Sequence, residues 1–241
     1  MKGARTFSLA ALAMSLSFMA WADEPQTVKE QVLQAPNNLM VKVRMEGPYT
    51  ADTPLQVVCY FKHKSAGDKT LGAAMELDKE LGGIIASLRN RGEFEGEALE
   101  TLLLTPPSGT IKAKRLLLIG LGDEEALSLE RMEQVGRVAL RVASKLGVNR
   151  VAFAPLIRDQ GNAKFSTKDV ANAVLRGVFL AYDTEKRLQK EGLAKEFALE
   201  QWSQEAGPQY FDETVAAVQQ AINDADKAIK ARSGAPYATK K

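Results

Sequence analysis

The chain has 241 residues, 45% of them hydrophobic and 26% charged, with 18 Gly and 9 Pro. That composition is globular and excludes collagen-like and low-complexity chains. The 32 basic and 30 acidic residues leave a formal charge of +2, which excludes a nucleic-acid binder acting through bulk charge. One cysteine, Cys59, excludes an internal disulfide framework and a Cys-rich zinc module, and one histidine, His63, excludes any site that needs two.

The chain opens with a targeting signature. Lys2 and Arg5 precede an apolar run from Phe7 to Met19, and Ala20 and Ala22 flank Trp21 in the small-x-small pattern of a signal-peptidase site. The run is shorter than the roughly 20 residues that span a bilayer. Residues 1–22 therefore read as a signal peptide, with cleavage after Ala22 leaving Asp23 first, and the protein as exported, periplasmic or secreted. Taking 22 residues from 241 leaves 219. Losing Lys2 and Arg5 brings the 32 basic residues to 30 against 30 acidic, a formal charge of zero. No later stretch is apolar enough to cross a membrane.

Residues 23–37 are polar with two prolines and read as a flexible leader. Leu39 to Met45 alternates with a period of two, which suits a half-buried strand, and Leu55 to Phe61 predicts a more buried one. Thr70 to Asn90 carries Ala74, Leu77, Leu81 and Leu88 at helical spacing and predicts one helix interrupted by Gly82-Gly83, a pair permitting close packing on a sheet. Leu99 to Thr105 predicts a strand. Arg115 to Leu121 is a continuous apolar run, as in a central strand covered on both faces. Leu129 to Leu146 predicts a helix stopped by Gly147, and Arg150 to Ala154 a short strand. Ser166 and Asp169 form a capping box for a helix through Ala181. Lys186 to Lys195 reads as loop or exposed helix end, and Phe197 to Trp202 as a last strand. Phe211, Val215, Val218, Ile222, Ala225 and Ile229 draw an apolar stripe on a final helix, predicted to pack on its own domain. Residues 231–241 read as a disordered tail. The alternation of strands and helices is α/β, one sheet covered by helices.

Four features between Leu71 and Pro155 are informative together. They are Leu77 to Gly83 (LDKELGG), Gly92 to Glu97 (GEFEGE), the strand ending Leu118-Ile119-Gly120-Leu121-Gly122, and the small-residue helix after it. In this order and spacing the segment resembles the N-terminal domain of the leucyl (cytosol) aminopeptidase family, from about Leu39 to Arg187. The resemblance implies a macro-domain-like three-layer α/β/α sandwich with a mixed sheet, spanning residues 38–230. In that family the two-metal chemistry belongs to a separate C-terminal domain with an acidic Asn-Thr-Asp-Ala-Glu-Gly-Arg signature. No such string occurs here, so no catalytic or metal-binding residue is carried over. The family's usual members are intracellular, and the signal segment departs from them.

Other candidate chemistry is weak. Gly120-x-Gly122 lies between a strand and a helix, but a dinucleotide fingerprint needs a third glycine where Glu125 stands, and Asp123, Glu124 and Glu125 repel phosphate. Its favoured reading is a tight turn with positive φ. Cys59 and His63 supply at most half a zinc site, and no evident third group orients the histidine. Glu93/Glu95 and Glu124/Glu125 read as solvated carboxylates, and Trp202 and Tyr210 as packing aromatics rather than a stacking platform. The sequence thus predicts a non-catalytic exported binding or interaction domain. It calls for no cofactor, no catalytic or metal residue, no nucleic acid and no membrane after cleavage, and for a protein partner or self-association. The alternatives are a nucleotide or ADP-ribose-type ligand in the macro-like cleft, or a regulatory subunit of a separate exported peptidase.

Overall fold

The computed structural model describes residues Val28–Tyr237, so the predicted signal segment with Ala20, Ala22 and Asp23 lies outside it. Seven strands are formed among the described residues: β1 (Glu30–Gln34), β2 (Met40–Arg44), β3 (Leu55–Tyr60), β4 (Thr101–Leu104), β5 (Leu116–Gly120), β6 (Arg150–Ala154) and β7 (Gln201–Glu205). They make one sheet in the order β1-β2-β7-β6-β3-β5-β4. The five inner strands are parallel, and β1 and β4 run antiparallel at the two edges. Parallel strands need crossovers. Helices α1 (Gly72–Glu80), α2 (Ile84–Asn90), α3 (Leu129–Leu146), α4 (Thr167–Lys190) and α5 (Phe211–Lys230) lie in the connections and after β7.

Side-chain alternation sorts the core into two layers. Val41, Val43, Leu55, Val57, Leu117, Ile119, Val151, Phe153 and Trp202 face α3, α4 and α5 in one continuous cluster. Val58, Tyr60, Leu116, Leu118 and Ala154 face α1 and α2 in another. The predicted α/β/α sandwich with a mixed sheet is what the chain forms.

Several sequence boundaries move, each for a physical reason. Residues 23–37 are not leader throughout. Residues 30–34 form edge strand β1, where Leu33 sits opposite Val41 and packs on the core. A lone Val32-Leu33 pair gives too little periodicity to announce it. The helix predicted over Thr70–Asn90 is two helices. Gly82 and Gly83 take φ of +70° and +81°, and a Cβ at either would meet open space, so they break the helix rather than allow a close approach. Asp78 Oδ1 accepts the Ile85 and Ala86 N–H groups at 2.7 and 3.3 Å, capping α2. The last strand runs Gln201–Glu205 rather than Phe197–Trp202: it extends through buried Ser203, Gln204 and Glu205, which read as surface, while Phe197 and Leu199 are buried ahead of it outside the sheet.

The final helix packs on its own domain, as predicted, against α4 and β2. Its buried line is Phe211, Thr214, Ala217, Val218, Ala221 and Ala225, with Val215, Ile222 and Ile229 only partly buried beside it. Small residues form the contact, so the apolar maximum is offset from the seam. The tail is partly tied down as well. The Arg232 guanidinium reaches Asp183 at 2.6 Å and the Leu180 carbonyl at 3.2 Å.

Helices α3 and α4 cross where Gly136 meets Gly177. A Cβ at Gly136 would lie 2.0 Å from the Val174 carbonyl oxygen, and one at Gly177 would lie 2.0 Å from that of Glu133. Alanine would gain about 1 kcal/mol of helix propensity at either site, but overpacking a core costs about 1–3 kcal/mol, and the obstacle here is backbone. Gly177→Ala is therefore expected to lower stability despite its better propensity. A chemical-denaturation midpoint at or above wild type would refute this account of the crossing.

Candidate functional site

In an open parallel sheet the loops beyond the carboxyl ends of the strands are where ligands bind. Here those are the segments after β3 (61–71), β5 (121–128) and β6 (155–166). The first two of these hold a shallow depression of about 340 Å³, lined by Lys62, His63, Lys64, Ser65, Ala66, Asp123 and Glu124.

The rim side chains are bonded to one another. Lys64 Nζ pairs with Glu124 at 2.6 Å, and Asn162 reaches the other Glu124 oxygen at 3.4 Å. The Lys64 ammonium holds the Glu124 carboxyl below the usual carboxylate range. Lys164 donates to the Glu125 and Leu127 carbonyls, both at 2.9 Å. Beneath them Gln160 joins two strand ends. Its amide nitrogen donates to the Cys59 and Leu156 carbonyls at 3.0 Å, and its oxygen accepts the Phe61 N–H at 2.9 Å. The Asp159 carboxyl rests against the backbone N–H groups of Ala74 and Ala73 at the start of α1; burial raises its pKa and those two hydrogen bonds offset only part of that rise, so this helix end is already occupied by the chain's own acid.

Gly120-x-Gly122 does not hold a free phosphate cradle. Gly120 N–H donates to the Glu100 carbonyl at 2.8 Å and Gly122 N–H to the Gly96 carbonyl at 2.9 Å. A Cβ at Gly120 would fall 1.9 Å from the Glu97 carbonyl oxygen, and Gly122 has φ of +75°. The glycines are required by close backbone approach and a turn, the reading favoured from sequence.

Cys59 and His63 are not brought together as ligands. Cys59 is fully buried in the core, and burial pushes its thiol pKa up, away from the reactive thiolate. Among the described residues no group of three or more His, Cys, Asp or Glu is placed to hold a metal. Trp202 is buried against Phe153 with ring centroids 5.6 Å apart, whereas the Tyr210 ring lies 5.0 Å from the Arg158 guanidinium, so the two form no platform. Among the described residues no helix is long and apolar enough to cross a membrane.

His63 does have an orienting partner, one that the sequence concealed. Its Nδ1 is 2.9 Å from Asp68 Oδ2, and the same oxygen accepts from Arg89 Nε at 2.6 Å. Arg89 is 3% exposed, donates to the Phe61 carbonyl at 2.8 Å, and lies near the Tyr60 and Phe94 rings. Nothing in the Asp68 segment or in α2 marks these residues as partners, because they meet only when α2 closes over the end of β3. Burial would raise the Asp68 pKa, but hydrogen bonds from Arg89 and His63 and the Arg89 charge outweigh it and lower it. Chemically the unit fixes a loop, with the histidine held at the rim.

The chain matches the family model described as the cytosol aminopeptidase family, N-terminal domain, over residues 57–191. Probable cytosol aminopeptidases of Geobacter sp. (strain M21) and Alkaliphilus metalliredigens are 31% and 30% identical to it over 164 and 163 residues. Those alignments cover 68% and 66% of this chain but 31% and 29% of the relatives, so the chain spans under a third of their length. Among solved structures, a macrodomain of Oceanobacillus iheyensis superposes with a TM-score of 0.57 at 11% identity, covering 84% of this chain and 98% of that one. Tomato leucine aminopeptidase superposes with a TM-score of 0.56 at 17% identity, covering 85% of this chain and 38% of that one. The class is thus a macrodomain-like α/β fold. The chain belongs to the cytosol aminopeptidase family, by its N-terminal domain.

An ionised Asp68 paired to a buried guanidinium gives a pH dependence of definite sign. Its pKa is lowered on folding, so its contribution is present above the ordinary aspartate range and is lost as pH falls through the native value. Asp68→Asn leaves Arg89 buried without its counter-charge, a loss of about 3 kcal/mol. It should also flatten the acid limb of a stability–pH curve. An unchanged acid limb in that variant would show the pair to be inert.

Proposed function

We propose that this protein is an exported, non-catalytic interaction domain related to the aminopeptidase N-terminal domain. The observation that carries the reading is the cross-bonded rim. Lys64, Glu124, Asn162 and Lys164 are committed to one another or to backbone, and the N–H groups of Gly120 and Gly122 to carbonyls. Such a mouth presents a finished surface rather than reacting groups converging on a substrate. The family match to the N-terminal domain supports the same reading. Docking on a separate exported peptidase is one form that this interaction can take.

The purified chain is expected to show no hydrolysis of leucyl amides with zinc or manganese added. Two-metal catalysis needs carboxylates that hold both ions. Turnover that co-purifies with this chain, is abolished by chelator and is restored by metal would defeat the proposal.

A nucleotide-type ligand is the second reading, because a macrodomain of Oceanobacillus iheyensis with ADP shares the fold, with a TM-score of 0.57 at 10% identity. Lys62 and Lys64 at the depression are already paired with Glu97 and Glu124, and Asp123 adds negative charge beside them, which disfavours an anion. A ligand at 100 times its dissociation constant would add about 2.7 kcal/mol of stability. A thermal-shift titration with ADP-ribose is expected to show no saturable rise, and such a rise would favour this reading over ours.

The proposal of export rests on residues 1–22. Mass spectrometry of the periplasmic or secreted protein should find Asp23 at the N-terminus, and Ala22→Phe should block processing. A soluble exported chain that retains Met1 would remove the case for cleavage.

A further inference from the structure

The face of the sheet opposite α3, α4 and α5 carries a second polar cluster, far from the rim in chemistry and unused by the reading above. Glu205 ends β7 opposite Arg44 of β2, and the segment between β2 and β3 brings Glu46 over them. Gln56 of β3 lies beside the Glu205 carboxyl. Both Glu205 carboxylate oxygens and Gln56 Oε1 are buried without a well-aligned hydrogen bond, the Gln56 side chain being the one donor near Glu205, and Glu46 Oε1 has only the poorly aligned Arg44 guanidinium. The charged groups that face the pair are Arg44, Lys42, Lys112 and Glu30. Of these only Arg44 is close to neutralising either acid. Its guanidinium is 3.0 Å from Glu46 Oε1 and 3.4 Å from Glu30, yet Arg44 Nε makes no hydrogen bond.

Four buried acceptor oxygens face too few donors. One guanidinium is shared between Glu46 and Glu30, and one amide lies beside Glu205. Each buried acceptor left unmade costs about 1–3 kcal/mol, and more when charged. A proton on Glu205 removes a buried charge and supplies the missing donor in one step. We propose that Glu205 is a neutral carboxylic acid in the native fold that donates its proton to Glu46, and that this shared proton latches the Glu46 end of the segment 45–54 onto the sheet until rising pH releases it.

The sign follows from the direction of the shift. Burial, reinforced by the Glu46 charge, raises the Glu205 pKa well above the ordinary glutamate value, and burial also raises that of Glu46. The proton-linked stability is complete below the unfolded glutamate pKa and declines as pH rises toward the native one. Across that window one proton is lost per unfolding event, so the folding constant falls about tenfold per pH unit. Asp68 acts in the opposite sense and on the acid side, so the two titrations separate.

The test is chemical denaturation of the full chain from about pH 5 to about pH 9, on wild type, Glu205→Gln and Glu46→Gln. Glutamine keeps the shape and a donor without the titration. We expect the wild-type midpoint to fall with pH, the Glu205→Gln profile to lose the one-proton slope, and Glu46→Gln to show a shallower one. Parallel wild-type and Glu205→Gln curves would overturn the proposal. Should Glu205→Gln not fold, two readouts on wild type decide. Infrared spectroscopy should find a protonated carboxyl band in native protein near neutrality that disappears on unfolding. Amide exchange in residues 45–54, corrected for intrinsic rate, should accelerate on the alkaline side. No such band, or uniform protection of the segment, would refute the latch. A rise in the wild-type midpoint with calcium or magnesium, absent in Glu205→Gln, would also overturn it, by assigning the four oxygens to a cation.

Discussion

Two helices can bring their backbones into contact only where neither carries a side chain. Gly136 and Gly177 create that condition, each facing a carbonyl of the opposing helix. The close crossing sets α3 and α4 on the sheet, and α4 in turn receives α5. The distances leave no room for even one methyl group, and a packed interior yields little to added volume. Much of the helical layer's geometry therefore rests on two positions that make no hydrophobic contribution of their own.

The α/β class and most element positions were legible because they rest on local periodicity. The apolar run before Gly120 announced a central strand, and Gly147 announced a helix end, which it provides at φ of +64°. Ser166 was legible as a cap, and its hydroxyl accepts the Asp169 N–H at 3.0 Å. The motifs around Leu77 to Gly122 carried the family itself, through order and spacing rather than chemistry.

What stayed hidden depends on contacts between distant residues. The Asp68–Arg89 pair joins positions 21 apart that no helical or strand period relates, and Gln160 reaches back 101 residues to Cys59. The end of β7 was misplaced because polarity usually marks surface, while Ser203, Gln204 and Glu205 lie in an inner strand. Burial of such groups is legible only once their neighbours are known. The same holds for the rim, where Lys64, Glu124 and Asn162 read singly as solvated side chains and become a closed network only in the fold.

Asp159 has a consequence for anything that approaches the start of α1. Its carboxylate occupies the N–H groups of Ala73 and Ala74 as a tethered occupant, not a diffusing one. A free anion competing for those donors meets a rival that never leaves. For short connections such a rival acts at an effective concentration on the order of mM. The start of this helix is therefore filled from within, by a carboxyl that belongs to the same fold.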